Sequence, residues 1–383
     1  MRRHAILVIA VAATLAANTA CMQMQPASQT QPTNAAVVET DEHVATIAAL
    51  KPPKRQRPVI AVLGQNAGTE TTDYLVPYGV LKQSGLADVW ALATEPGPLK
   101  LHPALVIQPQ ATTAGFDARY PDGADYVIVP AMHHPDDALV LAWIKAQAAK
   151  GATIVGVCSG AKVLSNAGLL RDRAATGHWY DLDKLRKDNP SMRWVRDRRY
   201  VADRGVVTTT GITASVPVSL AIVEAIGGSA PAATLARELG AASWDEGHDS
   251  DAFQIDGRHI WTAAGNTLAF WNQTIGIPVK DGVDEIALAL TADAYSRTYR
   301  SRVVTIADHQ QALTTRRGLR LVPDRAAKDA HTNVVLAPVT GERPAQALDA
   351  ALDDIAVRYG ERTAAFVALQ SEYKRPRAST GAR

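Results

Sequence analysis

Apolar segments of strand length alternate with helical segments between residues 58 and 229, and this alternation limits the fold more than any other feature. The apolar runs are continuous, as in strands buried on both faces of a parallel sheet. They lie at residues 59–63, 88–92, 125–130 and 153–157, with helical spacing over about 71–85, 136–150 and 159–167. The pattern predicts an α/β fold with a doubly wound parallel sheet.

A hairpin and a final helix complete this unit. Residues 200–209 predict two strands that turn at residues 203–205, and a helix then runs from Gly211 to Ile226. Residues 227–229, Gly-Gly-Ser, end the helix. We therefore predict one domain of ordinary size over residues 58–229.

The N-terminal segment predicts export. Arg2 and Arg3 precede an apolar run over residues 5–17 that is too short to span a bilayer, and a small residue precedes Cys21. Residues 1–20 resemble a bacterial lipoprotein signal, although Asn18 stands where leucine is usual. Lipidation of Cys21 with a membrane tether, cleavage with release into the periplasm, and an uncleaved N-terminus remain open. Residues 21–57 lack apolar periodicity and predict a flexible linker.

Charge and cysteine content exclude several classes of protein. The formal net charge of the 383 residues is +2, and Arg2 and Arg3 account for it, so there is no basic signal for binding nucleic acid. Cys21 and Cys158 are the two cysteines of the sequence. This excludes a disulfide framework and a zinc site built from cysteines, and no cofactor is expected.

Cys158 stands where the fourth apolar run meets a helix. A strand, one nucleophilic residue, a small residue and a helix are typical of a nucleophile elbow, which points the side chain off the sheet edge. Free N–H groups at the start of such a helix would favour the thiolate and stabilise an oxyanion. The alternative is a buried cysteine that acts as a small apolar side chain.

Three segments carry a resemblance to a known family, and they are residues 156–170 (GVCSGAKVLSNAGLL), 175–179 (ATGHW) and 210–215 (TGITAS). In order and spacing they resemble the DJ-1/PfpI family. The nearest branch contains isonitrile hydratase and the N-terminal domains of AraC-type regulators. The resemblance covers about residues 58–229 and implies a flavodoxin-like, class I glutamine amidotransferase-like fold.

The resemblance also implies roles for individual residues. Cys158 matches the nucleophile, His178 a histidine near it, and Asp73 an acidic residue that reaches the sulfur from the first helix. Ser159 stands where the branch has a threonine that positions water or substrate, and Trp179 follows His178. Alternatively, His178 is structural and Asp73 caps its helix.

The sequence departs from the family at the loop after the third strand. Where Pro-Gly-Gly is usual, Pro130 is followed by Ala131, Met132 and His133. We expect the Ala131–Met132 amides to line the oxyanion site, with strain if the backbone there is left-handed. His133 adds a titratable group at the cleft mouth, and metal binding is not expected.

The C-terminal third predicts a second, degenerate α/β copy. Residues 89–92, 127–130 and 135–151 match residues 303–306, 335–338 and 344–360 in order. The elbow position falls at residues 365–369, where no cysteine or serine stands, so this copy is expected to be chemically blank. The alternative is that any parallel α/β segment matches itself this well.

The remaining segments are assigned around that copy. Residues 230–279 are a connector in which 253–265 and a helix to Ile275 would complete a permuted copy, residues 280–371 are the copy itself, and residues 372–383 form a disordered tail. The two copies would pair within the chain, or the chain would form a homodimer. The polar loop 244–250 is expected to be solvated, or to form a lip over the cleft.

Three functions follow from these features. The first is an exported enzyme in which Cys158 attacks a small electrophilic substrate, as a hydrolase, a hydratase or a glyoxalase-like enzyme. The second is a ligand-binding or redox-sensing module. The third is a regulatory domain related to AraC-type regulators without their DNA-binding part.

Overall fold

The computed structural model describes residues 38–269 and 272–375. The predicted signal sequence and Cys21 lie outside the described residues. Across the described part of the chain, no helix combines the length and the apolar character that crossing a membrane requires.

A seven-stranded sheet forms the centre of the first copy, by which we mean residues 59–227. Its strand order is β11-β12-β8-β7-β1-β3-β6, and all neighbours are parallel except β11 and β12. The strands of the first copy, including five that lie outside this sheet, are β1 (Val59–Gly64), β2 (Thr69–Glu70), β3 (Asp88–Ala93), β4 (Leu99–His102), β5 (Val106–Gln108), β6 (Ala111–Thr112), β7 (Tyr126–Val129), β8 (Thr153–Gly156), β9 (Ala174–Ala175), β10 (Arg193–Trp194), β11 (Tyr200–Asp203) and β12 (Val206–Thr209). This confirms the predicted doubly wound α/β fold.

Helices cover both faces of this sheet, because its strands are apolar on both sides. One face packs against α3, α4 and α5, and the other against α2 and α7. The helices of this part are α1 (Thr40–Ala49), α2 (Thr71–Gln83), α3 (Thr113–Arg119), α4 (Ala138–Ala149), α5 (Gly160–Asn166), α6 (Leu182–Asp188), α7 (Ser215–Gly227) and α8 (Ser229–Leu239). A 3-10 turn at Ile212–Ala214 leads into α7.

The prediction of a flexible linker is wrong for residues 40–57. Helix α1 docks on the first copy, where His43 lies between Glu224 and Glu246 at 3.2 and 3.1 Å. Leu50 is fully buried, and Arg55 pairs with Asp125 at 2.7 Å. The sequence conceals this docking, because α1 buries little apolar surface and is held by scattered polar contacts.

A second, smaller parallel sheet confirms the second α/β copy, by which we mean residues 273–370. Its order, β17-β14-β13-β18, repeats the order β6-β3-β1-β7 of the first copy. Its elements are β13 (Gln273–Pro278), α10 (Glu285–Ser296), β14 (Ser301–Ala307), β15 (Leu313–Thr314), β16 (Arg320–Leu321), β17 (Arg325–Ala326), β18 (Val334–Val335), α11 (Ala347–Tyr359) and α12 (Glu361–Gln370). Helix α9 (Gly257–Leu268) precedes it.

The two copies share one constant offset over their first halves. Each of five elements begins 214 residues after its counterpart, and the paired starts are Val59 and Gln273, Thr71 and Glu285, Leu99 and Leu313, Val106 and Arg320, and Ala111 and Arg325. The strands β3 and β14 end 214 residues apart but begin 213 apart, and their register to the first strand of each copy differs by one residue. Residue pairs at this offset in the five elements are therefore structural counterparts.

The copies pack on each other through these counterparts. The hairpin β4–β5 and its counterpart β15–β16 join in one sheet, where Ile107 of β5 pairs with Leu321 of β16. Helix α2 lies against α10, and Gly79 leaves the space that Ile286 fills, since a Cβ on Gly79 would lie 2.5 Å from its side chain. One apolar core includes residues of both copies.

Three expectations for the second copy are wrong. The helix predicted to reach Ile275 ends at Leu268, and Gln273–Pro278 is the first strand of the copy. The copy therefore follows the order of the first one and is not permuted. The elbow position, residues 365–369, lies inside the helix α12, because Glu361–Gln370 has helix-forming residues where the first copy has a β-branched strand.

The C-terminal segment, by which we mean residues 371–375, is ordered against the first copy. Ser371 and Glu372 are 1% and 3% exposed. The prediction of a disordered tail is therefore wrong for residues 372–375, and residues 376–383 lie outside the described part of the chain.

Candidate functional site

The candidate active site is built around the turn that carries Cys158. Strand β8 ends at Gly156, α5 begins at Gly160, and Cys158 adopts a left-handed backbone with φ of 54°. A Cβ on Gly160 would lie 2.0 Å from the carbonyl oxygen of Val129, so only glycine allows this close crossing. The backbone thus has the strand, strained residue and helix of a nucleophile elbow.

The amides around Cys158 do not favour its thiolate as expected. The Cys158 amide donates to Thr209 Oγ1 at 2.9 Å, and the Gly160, Ala161 and Lys162 amides donate to carbonyls of the same turn. Burial raises the pKa of the Cys158 thiol well above its ordinary value, and the charges of nearby carboxylates raise it further. Cys158 is 7% exposed and is a thiol at neutral pH.

Asp73 lies in the first turn of α2 and is fully buried. Its Oδ2 accepts from the Ala131 amide at 3.1 Å, whereas Oδ1 has no hydrogen-bond partner within the described ranges. Burial raises the pKa of Asp73 to about 7, despite that hydrogen bond and the charge of Arg297. The charge of Asp73 in turn raises the pKa of Cys158, so the two groups are coupled.

Glu70 takes the role that the alternative interpretation gave to Asp73. It is the N-cap of α2, and its Oε2 accepts from the Asp73 amide at 2.6 Å. Burial and the neighbouring carboxylates raise the pKa of Glu70. Because Glu70 caps the helix, the Asp73 side chain is not required as the N-cap.

The second copy contributes an arginine to this site. Arg297, at the C-terminal end of α10, pairs with Glu70 at 2.9 Å and with Asp293 at 2.6 Å. Its charge lowers the pKa of Glu70, Asp73 and Cys158. The second copy has no elbow cysteine, but it supplies a charged side chain to the site of the first copy. No sequence signal identified Arg297, because its partner is 227 positions away.

His178 faces the second copy in this structure. Its Nε2–H donates to the carbonyl oxygen of Gln370 at 3.2 Å, and its Nδ1 accepts from the Tyr180 amide at 3.4 Å. Trp179 donates through its indole N–H to the Leu369 carbonyl at 3.0 Å. These contacts favour the structural interpretation of His178 and make both side chains part of the seam between the copies.

Glu372 was predicted to belong to a disordered tail, but the structure places it at the site. Its two carboxylate oxygens accept from the Trp179 amide at 2.6 Å and from the Gly211 amide at 2.7 Å. Its charge adds to the raised pKa of Cys158. The sequence offered no signal for it, because a single glutamate near the chain end is typical of a solvated tail.

Ser159 belongs to a separate polar network. Its hydroxyl donates to Asp181 Oδ2 in a short hydrogen bond, and Lys162 Nζ lies 3.2 Å from Asp181 Oδ1. Asp181 is 4% exposed. This network fixes Ser159 beside the elbow, where its predicted contact with water or substrate remains a prediction.

The loop after β7 differs from expectation in its backbone. Neither Ala131 nor Met132 has a positive φ, so the expected strain is absent from this described loop. The Ala131 amide donates to Asp73, and the loop is fixed by a bridge between Thr69 and Met132. His133 is exposed, with its ring 4.6 Å from that of His102. Over residues 38–269 and 272–375, no cluster of three His, Cys, Asp or Glu is arranged as a metal site.

The polar loop 244–250 lies partly buried, not solvated. Glu246 is 1% exposed, and His248 stacks on Phe253 and lies 3.6 Å from Glu372. His248, Phe253 and Glu372 line both a cavity of about 470 Å³ and one of about 510 Å³. The loop therefore packs on the C-terminal segment.

An α/β domain with a cysteine elbow and a buried carboxylate on its first helix defines a recognisable class of protein. Residues 59–225 match the DJ-1/PfpI family, and the first copy is a domain of that family. Two curated relatives also match. Isonitrile hydratase of Pseudomonas putida is 34% identical over 94 residues, which are 24% of this chain and 40% of that protein. The HTH-type transcriptional regulator CdhR of Pseudomonas aeruginosa is 32% identical over 81 residues, 21% of this chain and 24% of the regulator.

Solved structures of the same family align with about half of the chain. A ThiJ/PfpI family protein from Pseudomonas syringae has 26% identity and a TM-score of 0.42, and covers 47% of this chain and 74% of its own. DJ-1beta of Drosophila melanogaster has 21% identity and a TM-score of 0.44, and covers 49% and 99%. The chain spans less than half the length of either curated relative that it matches.

Proposed function

We propose that this protein is a cysteine-dependent enzyme that acts on a small electrophile as a hydrolase or hydratase. The observation that carries the proposal is the coupled pair of Cys158 and Asp73. Cys158 lies on a strained elbow, and its pKa is raised by the charge of Asp73, a fully buried carboxylate with one unpartnered oxygen and a pKa of about 7. Perturbed ionisable groups of this kind are typical of functional sites.

The ionisation of the pair suggests how attack begins. Because Cys158 is protonated at neutral pH, its S–H bond must break as the sulfur attacks, and ionised Asp73 accepts that proton. The new bond joins the sulfur to the electrophilic carbon, and one π-electron pair of that carbon moves to its oxygen or nitrogen. In a hydrolase that electron pair returns, the C–N bond breaks, and the amine leaves with the proton from Asp73; water then attacks the thioester, Asp73 takes a proton from it, and the C–S bond breaks as the sulfur regains that proton. In a hydratase nothing leaves at the first step: Asp73 gives its proton to the substrate, and water then replaces the sulfur, which regains a proton from that water through Asp73.

Arg297 is a positioning residue in this scheme. It holds Glu70, which caps α2 and thereby fixes Asp73, and it balances the charge that accumulates there. The scheme needs no step from His178, whose ring nitrogens both contact backbone atoms.

We also propose export to the periplasm, on the evidence of the N-terminal sequence. The charged start, the short apolar run and Cys21 support a signal sequence, with or without a lipid anchor. A redox sensor is less well supported, since the raised pKa of Cys158 disfavours the thiolate that oxidants attack.

A ligand-binding module is the second candidate, and the match to the regulator CdhR favours it. The similar segment of that protein covers 24% of its length. In this case small molecules would bind near Cys158 without turnover, and the elbow would serve recognition.

A screen of model amides, isonitriles and small aldehydes tests the proposal. The protein is compared with Cys158→Ser and with Cys21→Ser, the other cysteine of the sequence. Loss of an activity by at least about 1,000-fold in Cys158→Ser, with retention in Cys21→Ser, would support it. Binding without turnover, unchanged in Cys158→Ser, would favour the ligand-binding module.

A further inference from the structure

Cys158 is nearly buried, and the C-terminal segment packs on the chain next to it, because Glu372 accepts from the amide of Gly211, two residues after the Thr209 that accepts from the Cys158 amide. Cys158 is 7% exposed, and Glu372 is 3% exposed beside it. A substrate therefore reaches the thiol only after part of the wall has moved. The strands β8 and β12 and the helix α2 belong to the core, whereas residues 371–375 follow the last helix of the described chain.

The segment is held by the Thr213 hydroxyl on the Glu372 carbonyl and by the Tyr373 hydroxyl on Asp349, whereas its outer attachments are exposed and one of its residues is strained. Glu372 has a left-handed backbone with φ of 50°, which costs about 1 kcal/mol for a residue other than glycine. Arg375 pairs with Asp353 and Glu361, which are both more than 75% exposed. Exposed ion pairs of this kind contribute little to stability.

The place that Glu372 occupies is built for a carboxylate. Each oxygen accepts from one backbone N–H, from Trp179 at 2.6 Å and from Gly211 at 2.7 Å. Gly211 precedes the 3-10 turn that continues into α7, so the partial positive charge of a helix start faces the carboxylate. Charge-assisted bonds from two amides are how proteins bind small carboxylates.

A second observation marks the same turn. Ser215, the first residue of α7, is fully buried, and its hydroxyl has no hydrogen-bond partner among the residues described. An unused donor in such a place is rare unless a ligand or water takes it. The amide pair and this hydroxyl come from the segments 175–179 and 210–215 that also carry the family resemblance.

We infer that the Trp179 and Gly211 amides bind the carboxylate of the substrate, and that Glu372 fills this position while the site is closed. The inference rests on the proposed function and narrows it. The substrate is a small electrophile that bears a carboxylate. It enters when the C-terminal segment withdraws, and its carboxylate replaces that of Glu372.

Alkylation of Cys158 tests this without any assay of turnover. Iodoacetate carries a carboxylate and iodoacetamide does not, so the ratio of their rates at Cys158 reports a carboxylate site. Peptide mass spectrometry on the full chain separates Cys158 from Cys21. We compare the protein with Glu372→Ala, with Glu372→Gln, and with the control Glu95→Ala, an exposed glutamate after β3 whose contacts with Asn66 are made by its backbone.

In Glu372→Ala we expect the ratio of iodoacetate to iodoacetamide rates to rise by about tenfold, the equivalent of one charge-assisted hydrogen bond. Added acetate should slow iodoacetamide in a saturable way. Glu95→Ala should match the unmodified protein. Glu372→Gln retains one acceptor oxygen and should show the same changes at a smaller size, and it replaces Glu372→Ala if that variant does not fold.

A ratio that rises without saturable protection by acetate would show only the loss of a repelling charge, and would overturn the inference. An unchanged ratio in both Glu372 variants would do the same. If acetate protects Cys158 but no substrate is turned over by any variant, the carboxylate site stands and the proposed enzyme function fails.

Discussion

The two copies share a strand order, but the candidate catalytic residues Cys158 and Asp73 both belong to the first copy. In the first copy, β8 leads through a strained elbow into α5, and the helix α2 carries Asp73. In the second copy, the helix α12 replaces that strand and elbow, and Ala287 stands at the counterpart of Asp73. The second copy therefore has neither an elbow cysteine nor a buried acid at these positions, and it packs on the copy that has both.

Two contacts between the copies are made by counterpart residues. Arg297 reaches from the end of α10 to Glu70, the N-cap of α2. Its counterpart Gln83, at the end of α2, reaches Arg317 beside the N-cap of α10 at 2.5 Å. The position at the end of the helix thus contacts the other copy in both cases, but only the contact of Arg297 lies at the site of a cysteine. The chain therefore contains two paired α/β copies and one cysteine site, which lies in the first copy.

Asp73 gives the largest expected difference between the copies. Asp73→Asn should lower kcat/KM by about 100-fold or more, because proton acceptance by a positioned base contributes 10²–10⁴. In the unmodified protein kcat/KM should rise with pH through about 7, since only ionised Asp73 accepts the proton. The variant should lose that dependence, as pH–rate profiles will show.

Asp137→Asn is the matched control for this change. Asp137 caps α4 through the Leu139 and Val140 amides and lies away from the elbow. It should change stability by only about a few tenths of a kcal/mol, because asparagine caps a helix about as well as aspartate, and leave kcat/KM unchanged. Equal losses of activity in the two variants would refute a special role for Asp73.

Arg297→Gln gives this position the residue that its counterpart Gln83 has. The change leaves Glu70, Asp73 and Asp293 buried without their cation, so the free energy of unfolding should fall by about 3 kcal/mol at pH 8. At pH 5 the fall should be smaller, because burial raises the pKa of Asp73 to about 7 and of Glu70 also, and protonation removes the repulsion. Denaturant unfolding at both pH values measures it.

The surface pair of Arg358 and Asp354 provides the control, since both side chains are about one third exposed. Arg358→Gln should change the unfolding free energy by less than about 1 kcal/mol at either pH. A pH-independent loss in Arg297→Gln would mean that the arginine contributes packing and not charge balance.

The first copy could be predicted from sequence because each of its signals is local. Its strands are short apolar runs, and the elbow is a contiguous motif around Cys158. The second copy was found only in outline, since its strand at residues 273–278 begins with polar Gln273 and Thr274 and contains Gly276 and Pro278. Short runs of that kind do not distinguish a strand from the end of a helix.

The site was predicted only where its residues belong to one copy. Cys158 and Asp73 come from local motifs, but Arg297 reaches the site from the end of a helix of the other copy and Glu372 from the C-terminal segment, through contacts more than 150 positions apart. No periodicity encodes such pairs. The pKa of Cys158 was predicted in the wrong direction for the same reason, because burial by distant elements outweighs the local helix.

Gly79 tests the packing between the copies. In Gly79→Ala the new methyl lies 2.5 Å from Ile286, and the overpacking should cost about 1–3 kcal/mol. In an Ile286→Ala background the same change should become neutral or stabilising, because alanine is the better helix former. Gly115→Ala in α3, where contacts are ordinary at 3.4 Å or more, should be harmless in both backgrounds.

Helix α1 should give the smallest effect, because in the described part of the chain it does not contact the candidate site, and its partners Glu224 and Glu246 lie outside the second copy. Burial lowers the pKa of His43, but its hydrogen bonds and the charges of Glu246 and Glu224 raise it overall above 6.5. A raised pKa in the folded state means that His43 stabilises the protein below pH 6.5 and loses this effect as pH rises. His43→Gln should therefore cost under about 1 kcal/mol at pH 5.5 and almost nothing at pH 8.5. Thermal unfolding at the two pH values measures the difference, and an equal cost at both would show that α1 docks by shape and not by this charge.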